Sequence, residues 1–382
     1  MTASDAIVVG GGLVGGAIAF GLARLGLRIV LFDEGDDAFR AARGNFGLVT
    51  VQSKGIENPA YHRWTRLSAD SWAGLAAELG RLTGIDVGHQ RRGAVTPCLS
   101  EAEWIETGTQ LKCLRAATGE IGFDYEMLDH EGVAKIVPRI GAAVVGGAYT
   151  AYDGQCAPLA LLRALHAATV RLGSRYLSHA RVDSIEAAPH AFRVTGGGET
   201  VSAPRLVLAA GLGNRQLAPK VALSAPVRPD RGQIIVTERT EPLIPLPLRP
   251  LIRQNREGSV MLGLSSEDAG FDDRTTTATL SLIARRAIRI LPCLAGVGVV
   301  RAWGALRVMV PDGYPVYEQS LEFPGAFVAS CHSGVTLAAA HALHLPRHVV
   351  AGALPAEFAG FAGRRFGVAP APGAASSGVS RA

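Results

Sequence analysis

The chain has 382 residues, and because single cores stop growing near ~250 to 300 residues two domains are expected. Apolar residues make up 48% and charged residues 19% of it, ample material for a core, while 46 glycines are too many for an ordinary helical bundle and suit a glycine-rich α/β protein. The net charge of +5 is spread over pairs as far apart as Arg91/Arg92, Arg285/Arg286 and Arg364/Arg365, which excludes a basic stripe for nucleic acid.

In chain order, residues 6–9 read as a short buried strand, 13–25 as a helix with small residues on one side, and 28–32 as a second apolar strand, a β-α-β unit. The run from Ala6 to Phe32 is hydrophobic, but Arg24, Arg28 and three consecutive glycines are costly in hydrocarbon, so no membrane span is expected. Helical periodicity returns over 60–82, 101–118 and 159–172. Between 175 and 208 the pattern changes to short strands punctuated by Gly196-Gly197-Gly198 and Pro204. Strands follow over 233–237 and 259–264, a helix runs from the threonine-rich segment after Arg274 to about 291, and a last buried strand (326–330) precedes a helix over 336–344. The tail 369–382 is Ala-, Pro-, Gly- and Ser-rich and is expected to be flexible.

Cys98, Cys113, Cys156, Cys293 and Cys331 are widely spaced and form none of the C-x-x-C pairs favoured by zinc or iron–sulfur ligation. With no basic leader before an apolar core, a reduced, cytoplasmic setting is expected.

Gly10-Gly11-Gly12-Leu13-Val14-Gly15 supplies G-x-G-x-x-G directly after one strand and before one helix, the context in which the motif has physical meaning. Glycines let backbone N–H groups and the helix start approach a pyrophosphate, and Gly15 allows close helix packing. Asp33 ends the second strand about twenty residues on, where a carboxylate accepts from ribose hydroxyls; Glu34 either shares that contact or is merely solvated. The motif leaves FAD and a nicotinamide dinucleotide unresolved. Two further segments bear on the choice: Arg43-Gly44-Asn45-Phe46-Gly47, a loop permitting close backbone approach to a flat or phosphorylated ligand, and the apolar strand 206–208 ending in Ala209-Ala210-Gly211.

With these segments, the stretches RGNFGLVTVQSKG (43–55), 61–72, LRVMVPDGYPVY (306–317) and SCHSGVTLA (330–338) make the chain resemble the D-amino-acid oxidase and glycine oxidase superfamily. The resemblance covers nearly everything from Asp5 to Phe366. Within the superfamily it is most similar to the flavin (beta) subunits of opine oxidases, D-hydroxyproline dehydrogenases and hydrogen cyanide synthase. Thr50 and Gln155-Cys156-Ala157 depart from that subgroup's pattern.

The resemblance implies an α/β fold: a Rossmann-like FAD-binding domain of the glutathione-reductase type (1–85, 150–225 and 325–368) with a discontinuous antiparallel-sheet substrate domain (86–149 and 226–324). It implies that Gly10, Gly12, Leu13, Val14, Gly15, Asp33 and Glu34 hold the adenosine diphosphate part of FAD. Arg43, Gly44, Asn45, Phe46 and Gly47 would lie near the pyrophosphate and flavin, and Ala210 and Gly211 would end the second cofactor strand. His332, Ser333, Gly334, Val335 and Thr336 match the segment that places a helix start at the flavin pyrimidine edge; locally the Ser-His pair reads as a cap, and no nucleophile elbow or third triad member is identifiable. Arg307 matches the position that binds the substrate carboxylate, a task a guanidinium fork suits.

The reaction implied is loss of hydride from the carbon beside a nitrogen to FAD, in an amino acid or opine such as D-hydroxyproline, octopine or nopaline. Companion flavoprotein and iron–sulfur subunits would take the electrons, with an FMN at a subunit interface near Lys54 and membrane association only through partners. The alternatives are a self-sufficient oxidase of glycine, sarcosine or a D-amino acid using oxygen, a glycine-oxidising hydrogen cyanide synthase subunit, a nicotinamide-dependent opine dehydrogenase, and a noncatalytic flavin-bearing subunit.

Overall fold

The computed structural model describes residues 4–35, 41–263 and 265–367; the expected tail 369–382 and the last residue of the expected strand 259–264 lie outside them. The short apolar runs expected as strands lie side by side in a six-stranded sheet, in the order Val316–Gln319, Ala326–Ser330, Leu206–Leu208, Ala6–Val9, Ile29–Phe32 and Arg175–Leu177. Neighbours run parallel, Ile7 facing both Val30 and Leu206, except for the antiparallel edge strand Val316–Gln319. That edge strand falls inside 226–324, the span expected for the other domain, so the boundary drawn at 325 cuts between two hydrogen-bonded strands.

These strands are apolar at every position because both faces of the sheet are covered. On one face pack the helices Leu13–Arg24, Pro158–Arg171 and Ala338–Leu343. The first is built of small residues because its neighbour comes very close: a Cβ at Gly21 would stand 2.1 Å from the Ala342 carbonyl oxygen. Against the other face lies a three-stranded antiparallel sheet (Val182–Ala188, Ala191–Gly196, Glu199–Ala203) that packs Phe192, Val194 and Val201 onto Ile7, Val9, Val30 and Phe32.

The remaining sheets are antiparallel: Ile252–Gln254, Ser259–Leu262, Arg228–Arg239 and Val299–Met309 in one, Ala94–Cys98, Gly146–Thr150 and Glu126–Asp129 in another, and the pair Leu48–Val49 and Gly154–Gln155 in a third. The first two join where the Val95 N–H donates to the Pro247 carbonyl at 3.1 Å and the Arg249 N–H to the Val95 carbonyl at 2.7 Å. The helix Thr277–Ile290 seats Ile283, Ala287 and Ile290 on this sheet's apolar face. The long helix Pro59–Thr83 follows the expected 60–82 closely: Asn58 caps it by accepting from the Tyr61 N–H at 3.1 Å, Pro59 fits its first turn, and Gly84 ends it at φ 74°. No helix among the described residues is long and apolar enough to cross a membrane.

Two expectations change. The strand expected over 233–237 is the middle of Arg228–Arg239, because Arg228, Asp230 and Arg231 stay in register opposite Val299–Met309 although they are charged. The helix expected from 336 begins at Ala338. Thr336 is held outside it: its hydroxyl accepts from the Thr50 N–H at 3.1 Å and donates to the Leu48 carbonyl at 3.3 Å, and its carbonyl accepts from Ser68 and Trp72.

Beneath this turn is a buried polar relay. The Trp64 indole N–H donates to the Tyr317 hydroxyl at 3.1 Å, and that hydroxyl donates to His341 Nε2 at 2.6 Å. Burial lowers the His341 pKa from its ordinary 6.5 to about 3. The unfolded chain therefore takes up a proton below pH 6.5 that the folded chain refuses. Its contribution to stability is intact above pH 6.5 and is lost as pH falls toward 3, at about 1.4 kcal/mol per pH unit. Thermal unfolding from pH 7 to 4.5 should show a shallower acid decline in His341→Gln, which keeps an acceptor for Tyr317; an unchanged slope would show that other groups set acid stability.

Candidate active site

The first strand delivers the glycine turn to the carboxyl end of the parallel sheet, and its glycines serve different needs. Gly10 lies at φ 104°, and a Cβ there would sit 2.5 Å from the Ala209 carbonyl oxygen. A Cβ on Gly11 would fall 2.2 Å from the Asp33 carboxylate, and one on Gly15 only 1.8 Å from the Gly10 carbonyl oxygen. A Cβ on Gly12 would point into the open space of the cavity that this turn lines, which leaves the backbone room to approach a ligand. The helix Leu13–Arg24 starts there with no side-chain cap and no acidic residue in its first turn, leaving its positive end available to an anion.

Asp33 is buried at the end of Ile29–Phe32, where its carboxylate accepts from the Tyr176 hydroxyl at 3.0 Å and the Gly35 N–H at 3.2 Å. Tyr176 stacks on His166 at 4.2 Å, and the His166 Nε2–H donates to the Gly11 carbonyl at 2.7 Å. The turn, the carboxylate and a helix from residue 158 onward are thereby held in one cluster. A turn open at Gly12, an uncapped helix start and a fixed carboxylate fit the diphosphate and ribose of a dinucleotide.

One continuous cavity connects this end to the antiparallel sheet. It is lined by Gly10, Gly12, Leu13, Val14, Asp33, Glu34, Gly44, Asn45, Phe46, Lys54, Ala210, Gly211, Arg307 and the run His332 to Thr336. Of the other residues singled out in the sequence, Gly15 and Gly47 stand behind the wall, packed on the Gly10 and Cys156 carbonyls, and Arg43 is exposed beside it. Gly44 lies against the antiparallel sheet, where a Cβ would be 2.0 Å from that of Ala305, and Phe46 is buried with Ile234 and Met261.

Arg307 projects from Val299–Met309, opposite Asp230. Its Nη1 donates to Asp230 Oδ2 at 2.8 Å and its Nη2 to the Ser265 carbonyl at 2.6 Å, while the Ser266 hydroxyl and the Glu267 N–H also donate to Asp230. The guanidinium is thus fixed in the cavity wall. Lys54 lines the same cavity, and burial, reinforced by Arg249, lowers its pKa to about 8. The His332 pKa is held well below its usual value first by Lys54, then by burial and Arg307; its Nδ1 lies 3.2 Å from the Ser333 hydroxyl, which in turn is 2.9 Å from that of Tyr61. Burial pushes the adjacent Cys331 thiol up to about 12. Neither residue is poised as a nucleophile.

Sequence reasoning missed several residues that build the site. Asn214, wholly buried, accepts from the Ala210 N–H at 3.0 Å and donates to the Leu208 carbonyl and the Ser330 hydroxyl, stapling the ends of two parallel strands. Asp153 holds the Val51 and Gln52 N–H groups, and Arg249 enters the cavity from the joint between the antiparallel sheets.

The FAD-dependent oxidoreductase (DAO) family model matches residues 5–345 of this chain. The chain belongs to that family. Over 362 residues it is 41% identical to a subunit of the opine oxidase of Rhizobium meliloti, covering 95% of this chain and 97% of that protein. The corresponding opine oxidase subunit of Agrobacterium tumefaciens (strain Ach5) is 42% identical over the same length and shares. Among solved structures, glycine oxidase from Geobacillus kaustophilus superposes with a TM-score of 0.86 at 25% identity, over 95% of this chain and 98% of that one. The cofactor is accordingly FAD, and the nicotinamide alternative falls away.

Proposed function

We propose that this FAD-dependent oxidoreductase oxidises the carbon–nitrogen bond beside a carboxylate in an amino acid or opine. The observation that carries the reading is that Arg307, with its fork fixed by Asp230 and Ser265, lines the same cavity as the dinucleotide turn. Bound FAD supplies a two-electron acceptor for hydride from the α-carbon. Gly12, the helix start and Asp33 would hold its diphosphate and ribose, and the turn from His332 to Thr336 would offer backbone N–H donors to negative charge gathering on it. Arg307 takes the substrate carboxylate and so fixes the neighbouring C–H. The neutral amine that gives up this hydride becomes an iminium ion, which water hydrolyses to a 2-oxo acid and a protonated amine. No general base is required.

The opine oxidase relatives are by name one subunit of a larger enzyme. That naming supports a chain that passes its electrons to companion flavoprotein and iron–sulfur subunits, with FMN between them, rather than to oxygen. A turnover assay of the FAD-loaded chain tests this: with an artificial dye acceptor, 2-oxo acid should form in step with dye reduction, while oxygen alone sustains little turnover. Hydrogen peroxide formed one for one with product would instead establish a self-sufficient oxidase.

A further inference from the structure

A hydrogen-bonded chain leads from the cavity wall to a residue that does not line the cavity. His332, in the wall, has its Nδ1 3.2 Å from the Ser333 hydroxyl, and that hydroxyl is 2.9 Å from the hydroxyl of Tyr61. Tyr61 is buried in the first turn of the helix Pro59–Thr83. The backbone at both ends of the chain is fixed: Asn58 accepts from the Tyr61 N–H at 3.1 Å, and the Ser333 carbonyl accepts from the Leu337 N–H at 2.9 Å.

Counting protons gives the chain a direction. A buried phenol O–H needs an acceptor, and the hydroxyl of Tyr61 has one hydrogen-bond partner, Ser333. Its ring meets Tyr314 and Phe361 edge-on at 5.5 and 6.4 Å, and neither ring supplies an acceptor in its plane. The Thr65 hydroxyl, one turn further along the helix, is close enough to act on Tyr61 but forms no hydrogen bond with it. Ser333 therefore accepts from Tyr61, and its own single proton goes to its other partner, His332 Nδ1. Lys54 and Arg307 oppose a second proton on the His332 ring, so the one it carries is on Nε2, the nitrogen that makes no hydrogen bond among the described residues.

We propose that Tyr61 is a positioning residue: through Ser333 it holds His332 in the tautomer with its proton on Nε2, so that the ring offers the cavity a donor and not a lone pair. In a neutral imidazole the hydrogen bond made by one nitrogen decides the state of the other. The inference rests on the reading above that the turn from His332 to Thr336 meets negative charge on reduced FAD, which a donor stabilises and a lone pair repels.

The test uses the full FAD-loaded chain with its histidines labelled for nitrogen NMR, in which protonated and bare ring nitrogens are well separated. The His332 signals are those lost in His332→Gln. The wild type should carry the proton on Nε2. Tyr61→Phe keeps the ring and removes only the hydroxyl; it should populate both tautomers, because Ser333 is then free to accept from Nδ1. Two-electron reduction of the FAD should become about 10-fold less favourable, the loss of part of a hydrogen bond to a charged group, and the midpoint potential should fall by about 30 mV. That fall should vanish in a Ser333→Ala background, where the chain is already cut. A wild-type proton on Nδ1, or a tautomer unchanged in Tyr61→Phe, would overturn the proposal. If the tautomer responds and the potential does not, the positioning stands and the reading of the turn as the partner of reduced FAD falls; a potential that falls while the tautomer stays fixed gives the converse.

Discussion

Replacing Arg307 with Ala is expected to lower kcat/KM for the amine substrate by roughly 1,000-fold while FAD remains bound. A guanidinium–carboxylate pair removed from water contributes about 2–5 kcal/mol to binding, and loss of its fixed direction misplaces the C–H that must be transferred. The same substitution frees Asp230 from its cation, yet Asp230 keeps the Ser266 hydroxyl and the Glu267 N–H. The stability loss should therefore stay near 1–3 kcal/mol and leave a folded yellow protein. Arg307→Lys retains the charge without the fork, and it should recover binding of the carboxylate more than kcat. Steady-state kinetics beside flavin absorption check both variants; loss of FAD in parallel with activity would make Arg307 a structural residue.

The glycine turn supplies the second large effect, through a contrast between neighbours. Gly12→Val should fold normally, because Gly12 already has the extended backbone of an ordinary residue, φ −70° and ψ −172°, and nothing stands within 4 Å of its Cβ position. Its side chain would fill the space through which the backbone approaches the diphosphate, and FAD affinity should fall at least about 100-fold, or about 2.7 kcal/mol. Gly15→Ala should do the opposite. Its Cβ, 1.8 Å from the Gly10 carbonyl oxygen, forces the helix off the turn, costing about 3 kcal/mol or more of stability before cofactor binding is considered. Calorimetry of both apoproteins and FAD titration separate the two; equal loss of stability would mean that Gly12 supports the fold rather than the ligand.

What the sequence revealed was local. The apolar runs 6–9, 28–32, 206–208 and 326–330 announce buried strands, and the spacing of Gly10, Gly12 and Gly15 marks a turn, because each depends on residues adjacent in the chain. Arg307 and the 332–336 run were found through resemblance, not through periodicity. Illegible features come from pairings between remote segments. Asn214 matters because it reaches Ser330, Asp153 because it holds residues 51 and 52, and the extension of a strand to Arg228 because charged residues there face a partner strand. Thr336 reads as a helix start in sequence, but the helix is displaced to Ala338 by bonds to Leu48 and Thr50, nearly three hundred positions away.

In the proposed reaction the carbon beside the nitrogen of an amino acid or opine gives up its hydride to the FAD of this chain. Anaerobic titration of the purified yellow protein with D-hydroxyproline, nopaline, octopine, proline, sarcosine and glycine, following the oxidised flavin band, observes that transfer without any electron acceptor beyond the cofactor. Stoichiometric bleaching is predicted with at least one of them. An oxidised band unmoved by every one of these compounds, in protein whose flavin is still reduced by dithionite, would contradict it.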